Sequence, residues 1–118
     1  MSRLEGKRAV IIGAAGEGNL GQVLARKFVA EGATVMVAGR HLEPLQSLVA
    51  EIGGHYAGAD ITSGPDLEAL GDAAVAAMGG IDIAVNCTGW GLLVPFLDCT
   101  REQLDQITAL QFTGPFMF

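Results

Sequence analysis

Residues 13–21 read Gly13-Ala14-Ala15-Gly16-Glu17-Gly18-Asn19-Leu20-Gly21, and this stretch decides the fold. It follows an apolar run, Arg8 to Ile12, that predicts a strand buried on both faces, and it opens a helix predicted from about Leu20 to Glu31. In a strand-turn-helix unit, glycines can take positive φ and let phosphates approach the backbone, while the helix start offers unpaired amide hydrogens. The stretch therefore predicts a turn that binds the pyrophosphate of a dinucleotide, with a tight turn that binds nothing as the alternative.

The turn supplies six candidate residues for contact with the phosphates. They are Gly13, Gly16, Gly18, Asn19, Leu20 and Gly21, of which the second, third and last form a literal G-x-G-x-x-G pattern. On the helix that follows, Val23, Leu24 and Phe28 recur at helical spacing and predict its buried stripe.

Along the rest of the chain, short β-branched runs alternate with stretches of helical periodicity, as in parallel strands joined by crossover helices. Further strands are predicted at Thr34 to Ala38, at His55 to Ala59 (on topology alone) and at Ile81 to Val85. Helices are predicted to begin near Pro44, after Ser63 and after Thr100. These elements predict a three-layer α/β fold of the Rossmann type: a doubly wound parallel sheet of about four strands, ordered 3-2-1-4, with flanking helices, in one domain over residues 1–118.

The acidic balance of the chain argues against several classes of function. With 13 acidic and 7 basic side chains, the formal net charge of −6 opposes nucleic-acid phosphates and anionic membrane surfaces. The apolar run Ala9 to Ile12 is too short for a signal core or a membrane span. Two cysteines and two histidines without paired spacing favour neither a disulfide framework nor a zinc site. We therefore expect a cytoplasmic protein with no nucleic-acid or membrane partner.

The end of the sequence carries no usual helix stop signal at Phe118. The last predicted strand, ending at Val85, would form an apolar sheet edge of the kind that natural proteins cover or pair. We expect the fold to be truncated here, so that more protein normally follows or another chain covers this edge.

The residues after the second strand bear on the choice of nucleotide. NAD-binding folds often place a carboxylate here to accept from the adenosine ribose hydroxyls, but the sequence is Ala38-Gly39-Arg40-His41. A guanidinium at Arg40 suits a 2′-phosphate, which it can bind bidentately. NADP is thus favoured and NAD stays open, because Arg40 can also be read as a solvated surface arginine, and the carboxylate of Glu17 would repel an extra phosphate if it pointed inward.

These residues together resemble the short-chain dehydrogenase/reductase family, whose glycine motif follows the first strand. From Gly13 to Gly21 the turn covers eight steps against six in the family, so it is two residues longer. Asp60 and Ile61 match the family aspartate and its apolar neighbour after the third strand, and the resemblance implies that they contact the adenine. A turn-forming or helix-capping aspartate is the alternative for Asp60.

Two further segments extend the resemblance. Asn86 and Gly89 agree with the family turn at the cofactor ribose, and Cys87 between them is interpreted as a small buried residue rather than a nucleophile. Gln111 stands where the family has an asparagine of its proton relay, but the extra methylene displaces the amide by roughly 1.5 Å, which argues against that role. The stretch from Trp90 to Pro95 resembles the loop that edges the substrate pocket, with packing against a neighbouring subunit as the alternative.

The family's catalytic groups, a serine and a Tyr-x-x-x-Lys motif, are not found in this sequence. Its one tyrosine is Tyr56, and its lysines are Lys7 and Lys27. One hypothesis is that the chain is the cofactor half of an NADP-dependent oxidoreductase, which transfers hydride between the nicotinamide and a small carbonyl or alcohol and assembles as a homo-oligomer. The other is a non-catalytic dinucleotide-binding or interaction module. We favour the first because the phosphate, adenine and ribose residues are retained, and we expect these residues alone to be inactive.

Overall fold

The computed structural model describes residues 2–16 and 18–118 and has the predicted alternation of strands and helices. The strands are β1 (Arg8–Ile12), β2 (Thr34–Gly39), β3 (His55–Gly58) and β4 (Ile83–Asn86). The helices are α1 (Leu20–Ala30), α2 (Leu42–Ile52), α3 (Gly64–Met78), α4 (Arg101–Thr108) and α5 (Gly114–Met117). A 3-10 turn at Phe96–Asp98 precedes α4, and a π-helical turn at Ala109–Thr113 joins α4 to α5.

All four strands are parallel and lie in the order β3-β2-β1-β4, which confirms the predicted topology. Ile12 at the end of β1 is in register with Ala38 of β2 and with Asn86 of β4. The carboxyl ends of these three strands therefore meet at one edge of the sheet. The strand order reverses between β1 and β4, and at such a point open α/β sheets bind their ligands.

Two apolar clusters cover the two faces of the sheet. Ala9 and Ile11 of β1 lie in the cluster with α1 and α2, while Val10 and Ile12 lie in the cluster with α3. Successive side chains of a strand point to opposite faces, so a strand covered on both sides must be apolar throughout. This arrangement confirms the three-layer architecture and explains why the run at 8–12 does not alternate.

The ends of the helices follow the capping signals of the sequence. The Ser63 side chain accepts from the Asp66 amide at 3.2 Å at the start of α3. At the start of α4, Thr100 and Gln103 form a reciprocal capping box, with distances of 3.0 and 3.1 Å. Gly32, at φ 97°, follows the end of α1 in the left-handed region.

Helix α2 begins at Leu42 and has Pro44 within its first turn, as predicted. The structure corrects two details of the prediction. Strand β4 begins at Ile83 rather than Ile81, because Asp82 is engaged with β1 before the ladder starts. Val23 is 52% exposed and does not belong to the buried stripe of α1.

The buried face of α1 consists instead of Gly21, Gln22 and Ala25. A Cβ on Gly21 would lie 2.5 Å from the Gly13 carbonyl oxygen, so the first turn of the helix packs directly on the backbone of the glycine turn. Such a close approach places small residues against the turn and directs Val23 to the solvent. Leu24 and Phe28 are half-buried against the core, as predicted.

Candidate functional site

A cleft of about 720 Å³ opens at the carboxyl edge of the sheet, and we call it the main cleft. Its volume falls within the range typical of small-molecule and cofactor sites. It is bounded by the glycine turn, by the loops after β2, β3 and β4, and by the turn between α4 and α5. Seven of the residues selected from the sequence line it: Gly13, Gly16, Asn19, Arg40, Asp60, Ile61 and Gly89.

The glycine turn has no room for side chains at the points where it meets the sheet. Gly13 has φ 91°, and a Cβ there would lie 2.5 Å from the Cys87 carbonyl carbon, so β1 turns away directly against the end of β4. Gly18, at φ 71°, also lies in the left-handed region, with open space around it. These positions need glycine for steric reasons. Gly18, Leu20 and Gly21 are not among the residues that line the main cleft.

Hydrogen bonds tie the start of the turn to β2 and to α1. The amides of Gly13 and Ala14 both donate to the Ala38 carbonyl, at 2.9 and 3.1 Å. Asn19 caps α1 by accepting from the Gln22 amide at 3.1 Å, and its Nδ2 donates to the Gly13 carbonyl at 2.9 Å. The turn is therefore held by the sheet on one side and by the helix on the other. Glu17, whose charge bears on the choice of nucleotide, lies outside the described residues.

Arg40 and His41 follow β2 and bring two basic side chains to the main cleft. Both are exposed. A Cβ on Gly39 would lie 2.7 Å from the Cβ of Ala15, so the end of β2 touches the glycine turn. The turn and the guanidinium of Arg40 thus belong to one compact site. His41 was not predicted as a site residue from the sequence, although its position directly after Arg40 was the available signal.

Asp60, directly after β3 and its flanking Ala59, both shapes a turn and lines the main cleft. Its Oδ1 accepts from the hydroxyl and the amide of Thr62, at 2.6 and 2.9 Å. These hydrogen bonds, with a smaller contribution from the charge of Arg40, hold the pKa of Asp60 below its ordinary value against the opposing effect of burial. The turn-forming role is therefore present, and the side chain stays anionic at neutral pH. Ile61 is 3% exposed and packs in the core beneath the cleft.

Asn86 ends β4 and shapes the next turn in the same way. Its Oδ1 accepts from the amide and the hydroxyl of Thr88, at 2.9 and 2.6 Å. Asn86 does not itself line the main cleft, but Cys87, Thr88 and Gly89 do. The turn after β4 thus presents its last three residues to the cleft and uses Asn86 as its brace.

The family model described as short chain dehydrogenase matches residues 7–118, nearly the whole chain. The chain belongs to this family. Short-chain dehydrogenases are oxidoreductases that bind NAD(P) and act on small molecules.

Relatives of named activity and solved structures agree with the assignment. Momilactone A synthase of Oryza sativa subsp. japonica is 38% identical over 98% of this chain and 43% of its own length. D-threitol dehydrogenase of Mycolicibacterium smegmatis is 29% identical over 98% of this chain and 45% of its own length. A short chain dehydrogenase from Mycobacterium smegmatis superimposes with a TM-score of 0.93 at 28% identity, covering 99% of this chain and 51% of that one. The chain therefore spans about half the length of the relatives it matches.

Gln111, which the resemblance to the family compares with its relay asparagine, is exposed and lies in the π-helical turn. Its Nε2 donates to the Trp90 carbonyl at 3.1 Å, so it braces the loop after β4. Gln106 and Ala109 line the main cleft instead, and neither was selected from the sequence. Trp90 also lines the cleft and is 42% exposed, whereas its place at the edge of a substrate pocket stays a prediction.

Cys87 is half-buried where β4 meets the glycine turn of this short-chain dehydrogenase. Burial raises the pKa of its thiol, which therefore stays protonated at neutral pH and is a poor nucleophile. Among the residues that the structure describes, no three His, Cys, Asp or Glu side chains are grouped to hold a metal ion. Within the same residues, no helix is long and apolar enough to cross a membrane.

Proposed function

We propose that this chain is the NADP-binding half of an oxidoreductase that transfers hydride between the nicotinamide and a carbonyl or alcohol of a small molecule. One observation carries the proposal: the glycine turn and Arg40 line a single cleft at the point where the strand order reverses. A backbone cradle suits a pyrophosphate, and an exposed guanidinium beside it, with glycine where a carboxylate would stand, suits a 2′-phosphate. When bound, the nicotinamide supplies the hydride donor or acceptor.

The residues of the main cleft fit such a dinucleotide. A Cβ on Gly13 would strike the backbone of Cys87 and Thr88, directly after β4, and a Cβ on Gly16 would lie 2.7 Å from Asn19 Nδ2, the group that donates to the Gly13 carbonyl. We assign the diphosphate to Gly13, Gly16, Gly18, Asn19, Leu20 and Gly21. We assign the 2′-phosphate to Arg40, the adenine to Asp60 and Ile61, and the ribose on the nicotinamide side to the turn held by Asn86 and Gly89.

Proton transfer to the substrate oxygen lies with groups that this sequence does not contain. Tyr56 is in β3, and its hydroxyl accepts from Gln46 Nε2 at 3.0 Å, away from the main cleft. We therefore assign residues 1–118 to binding and orienting the cofactor. A cytoplasmic location and a homo-oligomer complete the proposal. The exposed side chains of Leu93 and Phe96 favour a subunit contact, which sedimentation measurements would test.

Replacing Arg40 tests the proposal directly. Calorimetric titration of the unsubstituted chain is expected to show tighter binding of NADPH than of NADH. Arg40→Ala should weaken NADPH binding by about 10- to 100-fold, the value of a charge-assisted hydrogen-bond pair, and change NADH binding about twofold at most. Arg101→Ala is the matched control, because Arg101 is an exposed arginine paired with Asp105 on α4 and should leave both affinities unchanged. Equal affinity of the unsubstituted chain for the two nucleotides would overturn the NADP assignment.

A further inference from the structure

Gln22 is a buried amide that no contact with a cofactor explains. It lies in the first turn of α1 and is 3% exposed. Among the residues that the structure describes, no other polar or charged residue is buried. Burying an amide is unfavourable unless it is hydrogen-bonded. Its Nε2 donates to the Ala14 carbonyl at 3.0 Å, from underneath the glycine turn.

With this hydrogen bond, the backbone amides and carbonyls of the first two residues of the turn, Gly13 and Ala14, all have a partner. The amides of Gly13 and Ala14 are held by Ala38, and the carbonyl of Gly13 is held by Asn19. Gln22 holds the remaining carbonyl, that of Ala14. The backbone amides and carbonyls of Gly13 and Ala14 are therefore all hydrogen-bonded. These two residues lead directly into Ala15, which lines the main cleft.

We infer that Gln22 is a positioning residue, whose buried amide fixes the Ala14 carbonyl and so keeps the glycine turn in the shape that receives the diphosphate of the cofactor. The inference rests on the proposed function. A turn two residues longer than the family spacing has more conformations to lose on binding, and preorganising it raises affinity by removing that cost. We expect the effect to fall on the diphosphate, because the hydrogen bond of Gln22 holds the glycine turn itself and does not include Arg40.

Two ligands distinguish a role of Gln22 in positioning the glycine turn from a role in the stability of the whole fold. NADP⁺ carries both the pyrophosphate and the 2′-phosphate, whereas adenosine 2′-monophosphate carries the 2′-phosphate alone. Gln22→Met keeps the length and volume of the side chain and removes the donor. In the full chain we expect it to weaken NADP⁺ binding about fivefold, the value of one neutral hydrogen bond, and to change binding of the monophosphate less than twofold. Gln46→Met is the matched control, since Gln46 is an exposed glutamine that bonds Tyr56, and both affinities should be unchanged.

Nuclear magnetic resonance of the unsubstituted chain provides a second measurement that needs no variant to fold. The side-chain amide protons of Gln22 are expected to shift on addition of NADP⁺ and not on addition of adenosine 2′-monophosphate. A shift with neither ligand or with both, or an equal loss of affinity for both ligands in Gln22→Met, would overturn the inference while leaving the proposed function in place. Failure of the unsubstituted chain to bind NADP⁺ would overturn the proposed function, and the inference with it.

Discussion

The glycine turn with its flanking strands and the segment from Trp90 to Phe118 differ sharply in how their apolar side chains are covered. Four of the five residues of β1 and five of the six residues of β2 are buried. Helices α1 and α2 pack on these two strands. In the other region Leu93 and Leu97 are 102% and 91% exposed, and α4 has no buried residue. The core thus covers both faces of the strands on which the glycine turn rests, whereas the segment from Trp90 to Phe118 presents apolar side chains of the kind that proteins normally cover.

Strand β4 lies at the boundary between the two regions. Its burial alternates along the strand, because Ile83 and Val85 pack against the cluster with α1 and α2, whereas the cluster on the other face includes no residue of β4. Among the described residues β4 is also paired on one side only, by β1. An edge strand of this kind is a surface for further pairing. The cleft residues on β1 and β2 are therefore fixed by the core, and those after β4 depend on the turn braced by Asn86.

The largest effect is expected where the glycine turn touches the turn after β4, which leads into the second region. Gly13→Ala would place a Cβ 2.5 Å from the Cys87 carbonyl carbon at a φ of 91°, so we expect the free energy of unfolding to fall by about 3 kcal/mol or more. Gly71→Ala is the control, because a Cβ in the middle of α3 meets nothing within 4 Å and should stabilise the fold by up to about 1 kcal/mol. Equal midpoints of urea unfolding for the two variants would contradict the close contact of turn and strand.

Two leucines, one from each region, test whether the regions differ in how far their apolar side chains are buried. Leu45 of α2 is fully buried, and Leu45→Ala should lower the free energy of unfolding by about 2–5 kcal/mol, whereas Leu93→Ala should change it by less than about 0.5 kcal/mol. Both substitutions remove the same atoms, so the pair compares environment alone. A cost for Leu93→Ala close to that of Leu45→Ala, measured by the same unfolding experiment, would show that the second region is covered in solution.

The sequence predicted the covered region much better than the exposed one, and the reason is physical. A short, continuous apolar run that ends at a glycine predicts a buried strand through its length and its boundary, and the observed bounds of β1 coincide with the predicted ones. Gln22 was missed because a polar residue after the last glycine has no local mark of burial, which only the packing of α1 on the turn creates. Ala109 was missed as a residue of the cleft because regular helical periodicity does not predict the π-helical turn that begins there.

The smallest expected effect is electrostatic and concerns the amino ends of the two strands that join the regions. Arg8 donates to both carboxylate oxygens of Asp82, from Nε at 2.9 Å and from an amino group at 3.2 Å, and its amide adds a third bond at 2.9 Å. These bonds, led by that of the Arg8 side chain, lower the pKa of Asp82 to about 2. Because the pKa is lower in the folded state than in the unfolded chain, the stabilisation is complete above the unfolded value of about 3.9 and is lost as the pH falls towards 2.

Asp82→Asn should therefore reduce stability at neutral pH, and the difference from the unsubstituted chain should shrink between about pH 4 and pH 2. Asp105→Asn, which removes an exposed ion pair within α4, should change the urea midpoint little at any pH. A difference for Asp82→Asn that stays constant down to pH 2 would mean that the carboxylate charge does not join β1 to β4. The junction of the two regions would then rest on the strand ladder and on the glycine contact alone.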